Sequence, residues 1–235
     1  MAYTGTGTEQ DPYLVSNLDD FITCVGITGA YVKVIADINA LDGNEYPIYQ
    51  GITFASSVTV YADTLTKIGG FMVKRTSNCF NRPTTTGTIT IRNIHFTDIL
   101  FKPTGDIANV IYGSGVANQW EFIESKISIK TEYDSQWVVC ATGANFHQCG
   151  LYFDFEGSTG GITSGVPAPF SNNVNFYEII VELNSLPYNY QSTQSSWPKY
   201  AEFTVFKISL KKYTNGTGTR IPLIGTGSHD NIIII

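Results

Sequence analysis

Carboxylates standing close together are the residues from which this chain could build chemistry. Asp154 and Glu156 share a strand face with Glu182 nearby, and Glu121 and Glu124 are close in sequence. Glycosidic bonds are cleaved by two such groups at close range, one an acid and the other a base or nucleophile. Here, though, no carboxylate pair is flanked by a second pair one repeat away, and a solvated acidic face accounts for the group. His95, His147 and His229 lie far apart with no evident partner. There is no Gly-rich phosphate loop and no Gly-x-Ser-x-Gly nucleophile motif. Cys24, Cys79, Cys140 and Cys149 read as buried, reduced thiols. Cys140, His147 and Cys149 match no standard zinc spacing and lack a fourth ligand nearby. The expectation is a chain with no catalytic residue, no metal and no cofactor.

Two other groups could make contacts rather than chemistry. Segment 184–199 is polar but carries Tyr188, Tyr190 and Trp197 among Asn and Gln. Rings beside amides suit a sugar face or a protein partner, and loops on a rigid scaffold often carry binding. The same rings could instead fold back on the body. At the other extreme are Ile232, Ile233, Ile234 and Ile235. Four consecutive isoleucines aggregate unless they are covered. They read either as a closing strand or as an assembly contact between subunits.

The elements that must position these residues emerge from a repeat. An apolar residue is followed five and seven places later by two more. From Phe122 these are Ile127 and Ile129; from Phe146, Leu151 and Phe153; from Phe176, Val181 and Leu183. Phe203 leads to Ile208 and Leu210, Ile89 to Ile94 and Phe96, and a weaker copy runs from Thr53 to Val58 and Val60. The starts from Ile89 onward fall 33, 24, 30 and 27 residues apart. Such a recurring unit is the signature of stacked repeats, and alternation of period two makes each unit a strand. The intervening columns are polar: His95, Ser128, Tyr152, Glu182, Ser209, and then Thr97, Lys130, Asp154, Asn184, Lys211. One short strand cannot bury its own apolar side, whereas a stack of them makes a continuous core. The fold class expected is all-β, a right-handed parallel β-helix solenoid.

Of the 235 residues, 43% are hydrophobic and only 14% charged, with a net charge of −6. That balance excludes a nucleic-acid groove; the nearest basic group is Lys211-Lys212. No apolar run reaches the length needed to insert in a membrane as a helix. The opening Met-Ala-Tyr-Thr-Gly-Thr-Gly has neither the basic start nor the apolar segment of a signal peptide. The protein is therefore expected in the cytoplasm where it is made, or in a particle assembled there.

Residues 5–18 read Gly-Thr-Gly-Thr-Glu-Gln-Asp-Pro-Tyr-Leu-Val-Ser-Asn-Leu. The run from Gly5 to Val15, followed by a short helix with Asp and Phe, resembles the opening of many right-handed parallel β-helix proteins, among them bacterial surface proteins and phage tail spikes or fibres. The resemblance implies a first strand over Pro12–Val15 and a short helix, N-capped by Ser16 or Asn17, that covers the open end. Asp19 and Asp20 in the first turn suit the helix dipole. Residues 1–30 are thus read as strand and capping helix, and 31–212 as coils with insertion loops near 157–173 and 184–199. Residues 213–235 are read as a last coil or assembly strand. The resemblance further implies a virion component, such as a head or tail fibre, spike or decoration protein. Its partners would be other virion proteins in a homotrimer and a host-surface glycan. A polysaccharide depolymerase is the alternative, because lyases and hydrolases also use this scaffold. A bacterial surface adhesin ranks below it, for want of an export signal.

Overall fold

Short alternating stretches stack into a parallel β-solenoid in the computed structural model. It describes residues 3–74, 78–82, 86–103, 107–113, 119–132, 136–140, 143–155, 170, 174–188, 200–212, 228–230 and 233–235. The chain opens with β1 (Tyr13–Val15) and helix α1 (Leu18–Val25), then β2 (Tyr31–Val34), β3 (Ile38–Asn39), β4 (Ile48–Tyr49) and β5 (Ile52–Thr53). Longer strands follow: β6 (Thr59–Lys74), β7 (Asn78–Arg82), β8 (Ile89–Lys102) and β9 (Ile107–Gly113). Next come β10 (Trp120–Ile123), β11 (Lys126–Thr131) and β12 (Gln136–Cys140), then β13 (Ala144–His147) and β14 (Gly150–Asp154). The remaining strands are β15 (Val174–Tyr177), β16 (Ile180–Tyr188), β17 (Tyr200–Glu202), β18 (Val205–Lys212), β19 (Ser228–Asp230) and β20 (Ile233–Ile234).

The described strands lie on three faces. The first face stacks β1, β2, the start of β6, the start of β8, then β10, β13, β15, β17 and β19. The second stacks β3, the middle of β6 and β8, then β11, β14, β16, β18 and β20. A third, four-stranded sheet runs β5, β7, β9, β12. All the paired strands are parallel, as expected when each coil returns above the last.

The repeat unit is therefore more than one strand. Phe122 lies on β10, but Ile127 and Ile129 lie on β11, around a corner. Register corrects three of the starts as well. Phe122 stands opposite Ile91, not Ile89, and Phe176 opposite Ala201, not Phe203. Val60, placed at the far end of the weak copy from Thr53, stands opposite Ile91 and is itself a start. Alternation of period two explains the slips at Ile89 and Phe203, since a frame moved by two residues leaves the inward columns facing inward.

Corner residues Asn93, Glu124, Gln148, Glu178 and Phe203 carry positive φ, from 46° to 56°. Left-handed backbone costs a residue with a Cβ about 1–2 kcal/mol. The residue after each corner turns inward: Ile94, Ser125, Cys149, Ile179 and Thr204 are all buried. Three of them satisfy the same backbone group. Ser125 Oγ donates to the carbonyl of Ile123 at 2.8 Å, Cys149 Sγ to that of His147 at 3.1 Å, and Thr204 Oγ1 to that of Glu202 at 3.1 Å. Inside the wall Phe122 and Phe146 stack at 4.8 Å and 7°.

Asn17 caps α1: its Oδ1 accepts from the Asp20 N–H at 2.9 Å while its Nδ2 donates to Asp20 Oδ2 at 2.7 Å. The helix buries Leu18, Phe21, Cys24 and Val25. Phe21 reaches Phe54 and Phe96, each at 6.3 Å between ring centroids, so the helix covers the core at this end. No described helix is long and apolar enough to cross a membrane.

Candidate functional site

Three strands of the first face share a tetrad: Trp-Glu-Phe-Ile on β10, Ala-Asn-Phe-His on β13 and Val-Asn-Phe-Tyr on β15. Their first and third residues are buried and the second and fourth face outward. Parallel register then builds two outward columns. One runs Glu121, Asn145, Asn175; the other runs Ile123, His147, Tyr177, Glu202.

The first column is a hydrogen-bonded ladder. Asn175 Nδ2 donates to Asn145 Oδ1 at 2.8 Å, and Asn145 Nδ2 donates to Glu121 Oε2 at 3.0 Å. Glu121 Oε1 meets His147 Nε2 at 2.8 Å, so both carboxylate oxygens are engaged. In the second column the rings of His147 and Tyr177 stack at 4.5 Å and 2°. The corner residue Gln148 donates from Nε2 to Glu178 Oε2 at 2.8 Å. His147, Gln148, Tyr177, Glu178 and Glu202 line a cavity of about 340 Å³. Flat rings beside amide and carboxylate groups, held on a stacked wall, can bind a polyhydroxylated ligand. Glu121 is committed to two donors, which makes it a positioning group.

The expected sites fare differently. Tyr188 is the last residue of β16 and pairs with Lys212. That strand thus occupies the start of the segment expected to be a loop, because Leu186 and Pro187 continue its pairing with β18. Tyr190 and Trp197 lie outside the described residues, as do Glu156 and Ile232. Ile233 and Ile234 form β20, opposite Val205 and Phe206, and the Ile235 N–H donates to the Phe206 carbonyl. Ile233 and Ile235 are exposed. Asp154 stands opposite Lys130 and Asn184, and Glu182 pairs with Lys207 at 2.8 Å.

Two of the three histidines expected to lack partners, His95 and His147, have them. His147 meets Glu121, and His95 Nε2 lies 3.0 Å from Ser128 Oγ. His147 faces out while Cys149 is buried, so the two cannot share a metal. Burial raises the Cys149 thiol to about 12 and that of Cys24 to about 11, and raises that of Cys79 as well. Sequence reasoning missed the His147–Tyr177 ledge. The signal was the residue after Phe122, Phe146 and Phe176, a column not read. The chain matches no family model, no curated protein and no solved structure.

Proposed function

We propose that this chain is a structural, glycan-binding component of a virus particle, of the head or tail fibre, spike or decoration type. The carrying observation is the parallel His147–Tyr177 pair on the rim of a cavity shared with Gln148, Glu178 and Glu202. The two rings cover one face of each other, so a ligand would meet their edges or an outer ring face, and the neighbouring amide and carboxylates offer partners for hydroxyls. Hydrogen-bonded stacking of neighbouring coils fixes their spacing, so little ordering is required on binding. The opening run from Gly5 to Val15 supports the particle assignment by its resemblance to phage spikes and fibres. Homotrimeric assembly is supported by a lateral apolar column, in which Ile180, Val205 and Ile233 are register partners and Ile180 and Ile233 are exposed.

An array of bacterial surface glycans tests the reading. The unmodified protein should bind a subset, Tyr177→Ala should lose that signal, and Tyr61→Ala, on a distant coil, should keep it. Binding unaffected by Tyr177→Ala would refute the assignment of the ledge. The depolymerase reading draws on one observation, that Glu178 and Glu202 line the same cavity. It requires release of oligosaccharides from the bound glycan and loss of that release in Glu178→Gln or Glu202→Gln. A glycan that is bound and left intact supports the fibre.

A further inference from the structure

The second face carries a column of the opposite charge. Register places Lys67 opposite His95, and His95 opposite Lys126, so three successive coils present nitrogen at one outward position. Asp37 heads the column, and its Oδ1 accepts from the Lys67 backbone N–H at 2.8 Å. Beyond Lys126 the next position is Gly150, over which the Tyr152 ring lies, its Cε2 2.7 Å from where a Cβ would stand, so a phenol bounds the column at that end. Lys67 and Lys126 are exposed, and neither forms an ion pair among the described residues. His95 is half-buried between them.

A cavity of about 310 Å³ adjoins the Lys67 end, lined by Asp37, Asn39, Lys67, Gly69, Thr97 and Asp98, among others. Both of its carboxylates already accept hydrogen bonds, Asp37 from the Lys67 backbone and Asp98 from the Tyr46 hydroxyl at 2.6 Å. Two coil spacings separate the lysine backbones, about 9.6 Å, and their flexible stems can converge above His95. Burial and then Lys126 and Lys67 hold the His95 ring below its ordinary value, with Asp37 opposing, so the ring is neutral at neutral pH. An anion seated there would relieve the repulsion among these groups.

We propose that the Lys67–His95–Lys126 column is a second ligand site, which takes the acid group of an anionic saccharide between the two ammonium groups and a sugar ring in the adjoining cavity. It shares no residue with the His147–Tyr177 ledge and lies on a different face, so either site can fail without the other.

The test is calorimetric titration at low salt with three probes: an oligogalacturonate, a sulfated dextran oligosaccharide and the plain dextran oligosaccharide. At least one charged probe should bind, the plain one should not, and whichever binds identifies the acid group. Lys67→Gln and Lys126→Gln should each weaken binding, and together at least tenfold, while Lys74→Gln, the same charge change elsewhere as either single variant, should leave it unchanged. In the unmodified protein the His95 ring resonances should move on titration. Failure of both charged probes overturns the proposal, as does equal binding of plain dextran. Equal losses from Lys74→Gln, or an unmoved His95, would do the same.

Discussion

His147 Nε2 reaches back across one coil to Glu121 Oε1 at 2.8 Å, joining the two outward columns of the first face. The side chains are 37% and 27% exposed, so solvent screens the pair and its worth is modest. A double-mutant cycle with Glu121→Gln and His147→Gln should give a coupling of about 0.5 kcal/mol by denaturant unfolding. A coupling near zero would mean that the ladder from Asn145 alone holds the carboxylate.

Phe203 occupies a left-handed corner with φ 46° and is 54% exposed. Asparagine tolerates that backbone far better, and a β-branched side chain far worse. Phe203→Asn should therefore raise stability by about 0.5 kcal/mol and Phe203→Val should lower it by about 1 kcal/mol or more. Thermal melts of the two variants would decide, and the reverse order would exclude backbone strain as the dominant effect at this corner.

Alkaline pH should loosen the fold through its thiols. Cys24 and Cys149 titrate at about 11 and 12 when folded, and Cys79 is raised as well, each chiefly by burial. Unfolded, they ionise near 8.5, so above that pH the unfolded state binds fewer protons and ΔG of unfolding falls. The stability they contribute is complete below about pH 8.5 and is lost progressively up to about pH 12. Cys149→Ala should flatten this decline relative to the unmodified chain. An identical slope in both would show that other groups drive it.

At Gly69 a Cβ would sit 1.6 Å from the carbonyl oxygen of Thr97 on the next coil. The backbones of β6 and β8 meet there too closely for any side chain, so Gly69→Ala must part them. A loss of about 2 kcal/mol or more is expected. At Gly29 a Cβ would meet nothing within 4 Å but φ is 74°, so Gly29→Ala is the comparison for left-handed backbone cost alone, about 1–2 kcal/mol.

Phe122, Phe146 and Phe176 carried most of what the sequence could tell, because large apolar residues at a recurring interval announce stacking. The Asn17 cap and the helix after it were equally legible, since capping chemistry is local. The corner was not. Glu124, Gln148 and Phe203 have nothing in common as side chains, and only their backbone conformation makes them one column. The ledge was legible by contrast: Phe122, Phe146 and Phe176 stand in register, and His147 and Tyr177 each follow their phenylalanine by one position. Arg82 is fully buried, its Nη2 donating to the carbonyls of Thr86 and Gly87, which no pattern of apolar spacing announces.

The Glu121, Asn145, Asn175 ladder places one polar group on each coil at a step set by backbone hydrogen bonds, about 4.8 Å. Side-chain choice can alter what each step offers but not its length. Such a surface measures as well as binds. A polymer whose own repeat is commensurate with the step stays in phase over several coils, and one with a different repeat drifts out after the first. Selectivity would then come from periodicity, and a long chain would be distinguished from its own monomer even when every single contact is weak.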